Sequence, residues 1–396
     1  MMNRRELLQA LGFGAAMGSV PGLALASADT DARFVLVILR GAVDGLALAA
    51  PYGDNDYAEV RGELALAKPG REAGLLELDG FFGLHPSLTE LHARYQSKEA
   101  VIVHAVASPY RSRSHFDGQD LLESGGTKSG ILRNGWLNRA LAPLSSGNEV
   151  AIALAQNTPL VLRGDNSVTS WAPSRLPDAD DSTIARLQRL YADDEFFSSR
   201  LEQAIKSQEI AADMSGKSSR RGNEAKQFGD LMKAAARFLT ADNGPRIAVV
   251  ELGGWDTHAN QGAANGVLAN RLAALDSGLT GLRTGLGETW ENTAVAVVTE
   301  FGRTVHVNGT RGTDHGTATA AVLLGGAVSG GKIIADWPGL GKNDLYAGRD
   351  LQPTTDLRCV FRTVLEQHLG LSPGFVERTV FPDSTTAQPL RNLIRV

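Results

Sequence analysis

The sequence predicts an α/β fold, in which helices cover both faces of a mainly parallel sheet. Its short apolar segments are nearly continuous runs of Val, Ile, Leu and Ala, not alternations of apolar and polar residues. Such runs are typical of strands that are buried on both sides. Amphipathic helical patterns lie between the runs, an order that favours a parallel sheet. Because no linker or internal repeat interrupts residues 29–396, we expect a single domain.

The apolar runs that predict the strands are the clearest signal in the sequence. The first of them, "RFVLVILR", has six apolar residues between two arginines. In chain order, the predicted strands are 33–40, 100–107, 149–155, 246–252, 293–299 and 319–326.

The helices are predicted from apolar residues at helical spacing. Residues 265–286 place leucines at alternating steps of four and three, which forms one apolar stripe that faces the sheet. Pro86 and Ser87 suit a helix start, and Gly370 suits a helix end. The predicted helices are 85–97, 182–206, 222–241, 265–286 and 353–370.

The composition excludes some function classes. The net charge of −5 argues against a nucleic-acid partner, which would require a basic surface. Cys359 is the single cysteine, so the chain has neither an intrachain disulfide nor a cysteine-based zinc site. It lies in a helical pattern, and we expect it to be a small core residue.

The first 28 residues resemble a twin-arginine export signal. Arg4 and Arg5 precede an apolar stretch that ends in the small-residue patterns "ALA" (24–26) and "ASA" (26–28). The stretch contains Gly and Pro and is short for a membrane span. The resemblance implies the twin-arginine export machinery as a partner and a periplasmic or secreted mature protein.

Polar residues collect where the predicted strands end, or just before the last strand begins. Ligands of open α/β sheets bind beyond the carboxyl ends of the strands, so these positions are candidates for chemistry. The candidates are Asp44, Ser114, His115, Asp117, Asp256, His258, Glu300, Arg303, Asp314 and His315.

These residue types fit a divalent metal site. Asp, Glu and His are ligands of Zn, Mn, Mg or Ca ions, and a cation would relieve the repulsion between gathered carboxylates. In extended backbone, Asp256 and His258 face the same side, so both could contact one ion. Taken singly, Asp44 and Ser114 also suit turns and helix caps, and Arg303 suits an ion pair. Capping and packing at the sheet edge is therefore the alternative to a metal site.

The order of these motifs resembles the alkaline phosphatase and sulfatase superfamily and, within it, the exported proteins of the domain of unknown function 1501. Asp44 matches the metal-binding Asp that ends the first strand of the superfamily. In "SHFDGQDLLESG", Ser114 lies seven residues before Leu121, similar to the spacing of the sulfatase active residue. "VVTEF" is similar to the strand that ends in Asp-His, and "DHGTAT" to the last histidine motif.

The resemblance implies an alkaline phosphatase-like fold and hydrolysis of a phosphate or sulfate ester, in a small-molecule or polymer substrate. Ser114, with Ser112 as the rival, would be the nucleophile, and Arg303 would stabilise negative charge on the substrate. One or two divalent ions would bind. Their implied ligands are Asp44 and Glu300 for one ion and Asp256, His258 and His315 for the other, with Asp314 as a ligand or as an acceptor that orients a histidine.

The chain also departs from the superfamily pattern. Phe301 stands where a ligand histidine is common, Glu300 replaces Asp, and Asp256 and His258 are two residues apart where four is frequent. His115 would compensate for the missing histidine, or a single ion would bind. Phe301 and the lack of a clear nucleophile motif favour the second function hypothesis, a non-catalytic metal-binding or assembly protein of the cell envelope with a protein partner. The retained set of acids and histidines favours the first, the hydrolase. A serine esterase is disfavoured because the chain has no G-x-S-x-G sequence.

Overall fold

The computed structural model describes residues 31–144, 150–173, 181–210 and 224–395. The predicted export signal, residues 1–28, lies outside the described residues. Within the described ranges, no helix combines the length and the apolar character that crossing a bilayer requires.

The chain forms one large sheet and one small sheet. In chain order, the strands are β1 Arg33–Leu39, β2 Ala49–Ala50, β3 Leu76–Glu77, β4 Gly83–Leu84, β5 Ala100–Ala107, β6 Ala151–Ala153, β7 Thr169–Ser170, β8 Ile247–Leu252, β9 Thr293–Thr299, β10 Thr319–Leu324, β11 Lys332–Ile334 and β12 Thr355–Asp356.

The large sheet has the strand order β11-β5-β10-β9-β1-β8-β6-β7, and β12 pairs with β5. All neighbouring pairs in it are parallel except those of β10, which runs antiparallel to both β5 and β9. The small sheet, β2-β4-β3, is antiparallel. The prediction of an α/β fold with a mainly parallel sheet is therefore confirmed.

Helices pack on both faces of the large sheet. The α-helices are α1 Gly45–Leu48, α2 Tyr57–Arg61, α3 Thr89–Gln96, α4 His115–Ser124, α5 Trp136–Leu141, α6 Asp181–Leu190, α7 Glu195–Ile210, α8 Glu224–Thr240, α9 Val267–Leu286, α10 Arg358–Thr363 and α11 Pro373–Phe375. The 3₁₀ turns are Gly62–Leu64, Leu160–Leu162 and Gly287–Asn292, and the π-helical turns are Val364–His368 and Val376–Val380.

The central strand β1 shows why its sequence is apolar throughout. Alternate side chains of a strand point to opposite faces. Val35, Val37 and Leu39 pack into the core formed with α3, α8 and α9. Phe34, Leu36 and Ile38 pack into the opposite core, formed with α5 and α10. Because both faces are covered, no position of the strand is left for a polar side chain.

Three predicted helices have clearly different bounds in the structure, and the first of them, predicted at 85–97, begins only at Thr89. The predicted helix 182–206 is two helices, α6 and α7, because the chain turns between Leu190 and Glu195. Asp194 stabilises the second start by accepting a hydrogen bond from Phe197 N at 3.0 Å. The predicted helix 353–370 begins only at Arg358 and ends in a π-helical turn.

The direction of β10 determines which loops can meet. The carboxyl ends of the parallel strands β1, β8 and β9 lie at one edge of the sheet. Since β10 runs the other way, its amino end lies at that same edge. The segment before Thr319 is therefore brought beside the segments that follow the parallel strands.

His104 is a core histidine whose ring is neutral in the folded chain. Its Nε2 lies 2.9 Å from Ala49 O, and its Nδ1 accepts from Ala105 N at 2.8 Å. Burial lowers the pKa of His104 from 6.5 to about 4. Hydrogen bonds to backbone carbonyls act in the other direction and do not offset the burial.

We therefore expect a pH-dependent stability contribution from His104. Between about pH 6.5 and pH 4 the unfolded chain binds a proton that the folded chain excludes. The free energy of unfolding should thus fall by up to about 3 kcal/mol as the pH falls through this window. In denaturant titrations, His104→Gln should flatten this slope, whereas the exposed His306→Gln should leave it unchanged. An unchanged slope in His104→Gln would contradict the assignment.

Candidate metal centre

Five segments meet at the edge where β1, β8 and β9 end and β10 begins. Each brings residues that the sequence singles out: Asp44 after β1, Ser114 and His115 after β5, Asp256 and His258 after β8, Glu300 and Arg303 after β9, and Asp314 and His315 before β10. The structure brings most of this set together, with Asp44 in a separate network.

Three imidazole rings and one carboxylate form the centre of the cluster. His315 Nε2 lies 3.0 Å from His115 Nε2 and 3.0 Å from His258 Nε2. Asp256 Oδ1 lies 3.0 Å from His258 Nε2 and 3.1 Å from His315 Nε2. The ligand atoms of His115, Asp256 and His315 all lie within 4.8 Å of one another, a spacing that permits all three to bind one metal ion. We call His115, Asp256, His258 and His315 the histidine centre.

The second nitrogen of each ring is held by an acceptor. His115 Nδ1 lies 2.8 Å from Glu300 Oε1, and His258 Nδ1 lies 3.0 Å from Asp314 Oδ1. His315 Nδ1 lies 2.9 Å from the carbonyl oxygen of Arg113. A carbonyl oxygen and an ionised carboxylate only accept hydrogen bonds, so each Nδ1 must be the donor. In metal sites, ligand histidines are oriented by such contacts.

These contacts leave the inner nitrogens as acceptors. A neutral imidazole with its hydrogen on Nδ1 presents a lone pair at Nε2. Three lone pairs and the Asp256 carboxylate therefore converge. Without a metal, each of the two 3.0 Å contacts between nitrogens requires a proton of its own on one of its two nitrogens. A divalent cation, bound at about 2.0–2.1 Å by each nitrogen, would satisfy them all.

Glu300 is the buried support of His115. Its carboxylate also accepts from Gly41 N at 2.9 Å, Gln119 Nε2 at 3.2 Å and Thr299 Oγ1 at 2.9 Å. Burial tends to raise the pKa of Glu300, but hydrogen bonds from His115, from its own backbone and from the Gln119 and Thr299 side chains outweigh it and lower the pKa. The same His115–Glu300 contact raises the pKa of His115.

Arg303 holds Asp256 in place through an ion pair. Its side chain is fully buried; it donates to Asp256 Oδ1 and to the carbonyl oxygen of Thr313, and its Nε lies 3.1 Å from Thr313 Oγ1. Burial acts to raise the pKa of Asp256, but Arg303 and the nearby histidines lower it. Each nitrogen of the buried guanidinium is thus used in a contact within the protein.

Asp44 lies in a buried network of its own. Its carboxylate pairs with Arg61, accepts from Gln261 Nε2 at 2.7 Å, and caps α1 through Leu46 N at 3.1 Å. Gln261 Oε1 in turn accepts from Thr257 and Thr313 Oγ1. Through Thr313 the network reaches Arg303. Asp44 is thus connected to the histidine centre only through other residues.

Ser114 lies at the start of α4, directly before His115. It is half-buried, and its hydroxyl makes no capping bond to the helix. Its backbone N–H donates to Tyr110 Oη at 2.8 Å. Tyr110 Oη also lies 3.3 Å from Asp117. The rival nucleophile Ser112 is exposed.

Phe301 fills the place beside the centre. Its ring stacks on the His115 ring, with centroids 5.0 Å apart and an angle of 27°, and lies 5.4 Å from the His315 ring. A side chain at Gly118 would meet the Phe301 ring at 2.8 Å, so the glycine lets α4 pack on it. Phe301 is buried and holds the His115 ring by contact on one face.

Several contacts around the site cannot be predicted from the sequence. Arg61 and Gln261 belong to no motif, and the Arg113 carbonyl that orients His315 is a backbone atom. For the Arg113 contact, the sequence offers one hint, namely that Arg113 lies two residues before His115.

Comparison with known proteins identifies a family. A family model described as "Protein of unknown function (DUF1501)" matches residues 31–380. Among curated proteins, no sequence matches the chain significantly.

Solved structures of similar shape have low sequence identity. The C-terminal periplasmic domain of EcEptC from Escherichia coli, in complex with Zn, is 10% identical; the match covers 93% of each chain, with a TM-score of 0.43. The phosphonate monoester hydrolase of Agrobacterium radiobacter is 13% identical; 86% of this chain and 74% of that one are covered, with a TM-score of 0.36. The PsFucS1 sulfatase from Pseudoalteromonas sp. is 14% identical; 94% and 72% are covered, with a TM-score of 0.34. These likenesses therefore assign no function to this chain, and a functional proposal depends on the residues of the site.

Gly41 lies where the loop after β1 closely approaches the loop after β8, so we expect a larger residue there to destabilise the protein. Gly41 has φ +118°, and a Cβ there would lie 2.7 Å from Asp256 N and 3.0 Å from Trp255 N. Gly80 also has positive φ, at +88°, but faces open space. We expect Gly41→Ala to lower the free energy of unfolding by about 1–3 kcal/mol more than Gly80→Ala, because overpacking adds to backbone strain. Equal losses in denaturant titrations would show that the contact is not tight.

Proposed function

This chain belongs to the DUF1501 family of proteins of unknown function, and we propose that it is an exported, metal-dependent hydrolase of phosphate or sulfate esters. The observation that supports the proposal most is the convergence of three imidazole lone pairs and one carboxylate, with every Nδ1 anchored on an acceptor. With all three rings neutral and no cation bound, these acceptors repel one another.

The proposal assigns the metal ligands as His115, Asp256, His258 and His315. Three nitrogens and one oxygen favour a transition ion such as Zn or Mn over Mg or Ca, which prefer oxygen ligands. Glu300 and Asp314 then orient the rings of His115 and His258 rather than bind the ion. Asp44 is left out of the ligand set because Arg61 and Gln261 occupy its carboxylate. With Phe301 beside the centre, the proposal is for one ion.

The chemistry follows from the position of Ser114. A bound divalent ion would polarise an ester oxygen and favour the deprotonated form of a nearby hydroxyl. Ser114, directly before the ligand His115, offers a hydroxyl free of capping contacts. It also opens the ten-residue helix α4, whose first-turn N–H groups stabilise an anion. These features suit a nucleophile that attacks a phosphoryl or sulfuryl centre. Export rests on the sequence of residues 1–28, with Arg4 and Arg5.

One observation favours a second function. No described residue acts as a base for the Ser114 hydroxyl, and Phe301 occupies the neighbouring position where a second ligand would be expected from the superfamily pattern. A metal-binding protein of the cell envelope without turnover is the alternative that these features support.

Metal analysis of the purified full-length protein tests the centre. We expect about one equivalent of Zn or Mn per chain by elemental analysis, lost in Asp256→Ala and in His315→Ala. Glu300→Gln and Asp314→Asn should weaken metal binding by about 10–100-fold, because the rings lose their anchors. His306→Ala, an exposed histidine outside the centre, is the matched control. A folded wild-type protein that binds none of Zn, Mn, Mg or Ca would overturn the proposal.

A panel of phosphate and sulfate esters separates the hydrolase from the binder. Ser114→Ala should reduce turnover of the metal-loaded protein by several orders of magnitude while its metal content stays at the wild-type level. Ser112→Ala should have little effect. If instead Ser112→Ala abolishes turnover and Ser114→Ala does not, Ser112 is the nucleophile. Metal binding without turnover of any ester would favour the non-catalytic alternative.

A further inference from the structure

Two arginines next to the histidine centre share one buried carboxylate. Arg113 Nε and Nη2 each lie 2.7 Å from Asp350 Oδ2, and Arg349 Nε lies 3.1 Å from Asp350 Oδ1. The Asp350 side chain is fully buried. One carboxylate neutralises only one of the two guanidinium groups, so this group of three residues retains a net positive charge.

Both arginines contact His315, Arg113 through its own backbone and Arg349 through its side chain. The carbonyl oxygen of Arg113 accepts from His315 Nδ1 at 2.9 Å, and Arg349 Nη2 donates to the carbonyl oxygen of His315 at 2.8 Å. Arg113 holds its backbone at φ +64°, an uncommon value for a residue other than glycine. The ring of Tyr346 covers the Arg113 guanidinium, with Cζ 5.9 Å from the ring centroid. The arginines are therefore preorganised relative to a proposed metal ligand.

The pair still has donors to offer. Among the described residues, no hydrogen bond is made by Nη1 of Arg349 or by Nη1 of Arg113. The Arg349 side chain is 43% exposed and that of Arg113 is 24% exposed, so both reach solvent. Arginine presents its donors in a planar fork that matches tetrahedral oxyanions. By contrast, Arg303, the arginine that the sequence predicted for this task, is fully buried on Asp256 and Thr313.

With a divalent ion bound, the charge balance of the site as a whole would also favour an anion. The carboxylates of Asp256, Glu300, Asp314 and Asp350 outnumber the guanidinium groups of Arg113, Arg303 and Arg349 by one. A divalent ion in the histidine centre would reverse the sign of this sum. The metal-loaded site would then attract anions, and the two partly exposed arginines would lie on its rim.

We propose that Arg113 and Arg349 form an oxyanion subsite beside the histidine centre, which binds a second phosphate or sulfate group of the substrate. This inference rests on the proposed function for the first group, which would bind at the centre and at the start of α4. It implies a substrate class with at least two anionic groups, such as a multiply sulfated or phosphorylated carbohydrate or polymer.

Binding of inorganic sulfate to the full-length protein tests the subsite. By calorimetry, we expect the metal-loaded wild type to bind two sulfates per chain and the metal-free wild type to bind one. Arg349→Gln and Arg113→Gln should each weaken the metal-independent sulfate by about tenfold or more, the typical effect of losing a hydrogen bond to a charged group. Arg349→Lys should restore part of the affinity, because it keeps the charge and loses the fork.

Arg311→Gln is the matched control, since Arg311 is an exposed arginine on the loop next to His258. It should leave both sulfates in place. Arg349→Gln decides the question if Arg113→Gln does not fold, because Arg349 is the more exposed and leaves Asp350 paired with Arg113.

The two proposals fail in different ways. If only the metal-dependent sulfate fails to bind, in the wild type or in Asp256→Ala, the result concerns the metal centre and not the subsite. The subsite is then still supported by the sulfate that binds without metal. A metal-free protein that binds no sulfate would overturn the subsite. Wild-type affinity in both Gln variants, or loss of the same sulfate in Arg311→Gln, would also overturn it.

Discussion

The arrangement of this site depends on one constraint, namely that the carbonyl oxygen of Arg113 can only accept a hydrogen bond. His315 Nδ1 must therefore be the donor in this contact, which leaves the lone pair of Nε2 directed at two other imidazoles. The Glu300 and Asp314 carboxylates impose the same state on His115 and His258. Acceptors around the histidine centre thus fix the orientation of the rings. The Nε2 lone pairs then face one another within the centre, and a cation there would relieve their repulsion.

The topology explains how distant segments supply this centre. The parallel strands β1, β8 and β9 place the residues that follow them at one edge of the sheet. His315 precedes its strand, and it reaches the same edge only because β10 is antiparallel to its neighbours. Reversing the direction of β10 would move His315 to the opposite edge. The one antiparallel strand of the central sheet is therefore a requirement of the site.

The sequence predicts the strands well and the polar contacts poorly, for a physical reason. Burial on both faces leaves a long apolar run, as in β1, whereas short strands at the rim, such as β11, give no such run. The turn at Asp194 divides a helical pattern that continues on both sides, so the pattern alone predicts one helix. The gathering of acids and histidines is predictable because strand ends converge. Their partners are not, because Arg303 and Asp256 are 47 residues apart and the pairing depends on tertiary packing.

The different environments of two aspartates fit the proposal of a single ion. Asp44 is buried, and the guanidinium of Arg61 neutralises it from within the protein. A carboxylate with an internal cation of this kind has no need of a metal. Asp256 also has an arginine partner, but the three imidazole lone pairs beside it have none. In the proposed site, the acceptors that a cation would satisfy therefore lie in the histidine centre. There, Phe301 packs against one face of the His115 ring, whose Nε2 lies 3.0 Å from His315 Nε2.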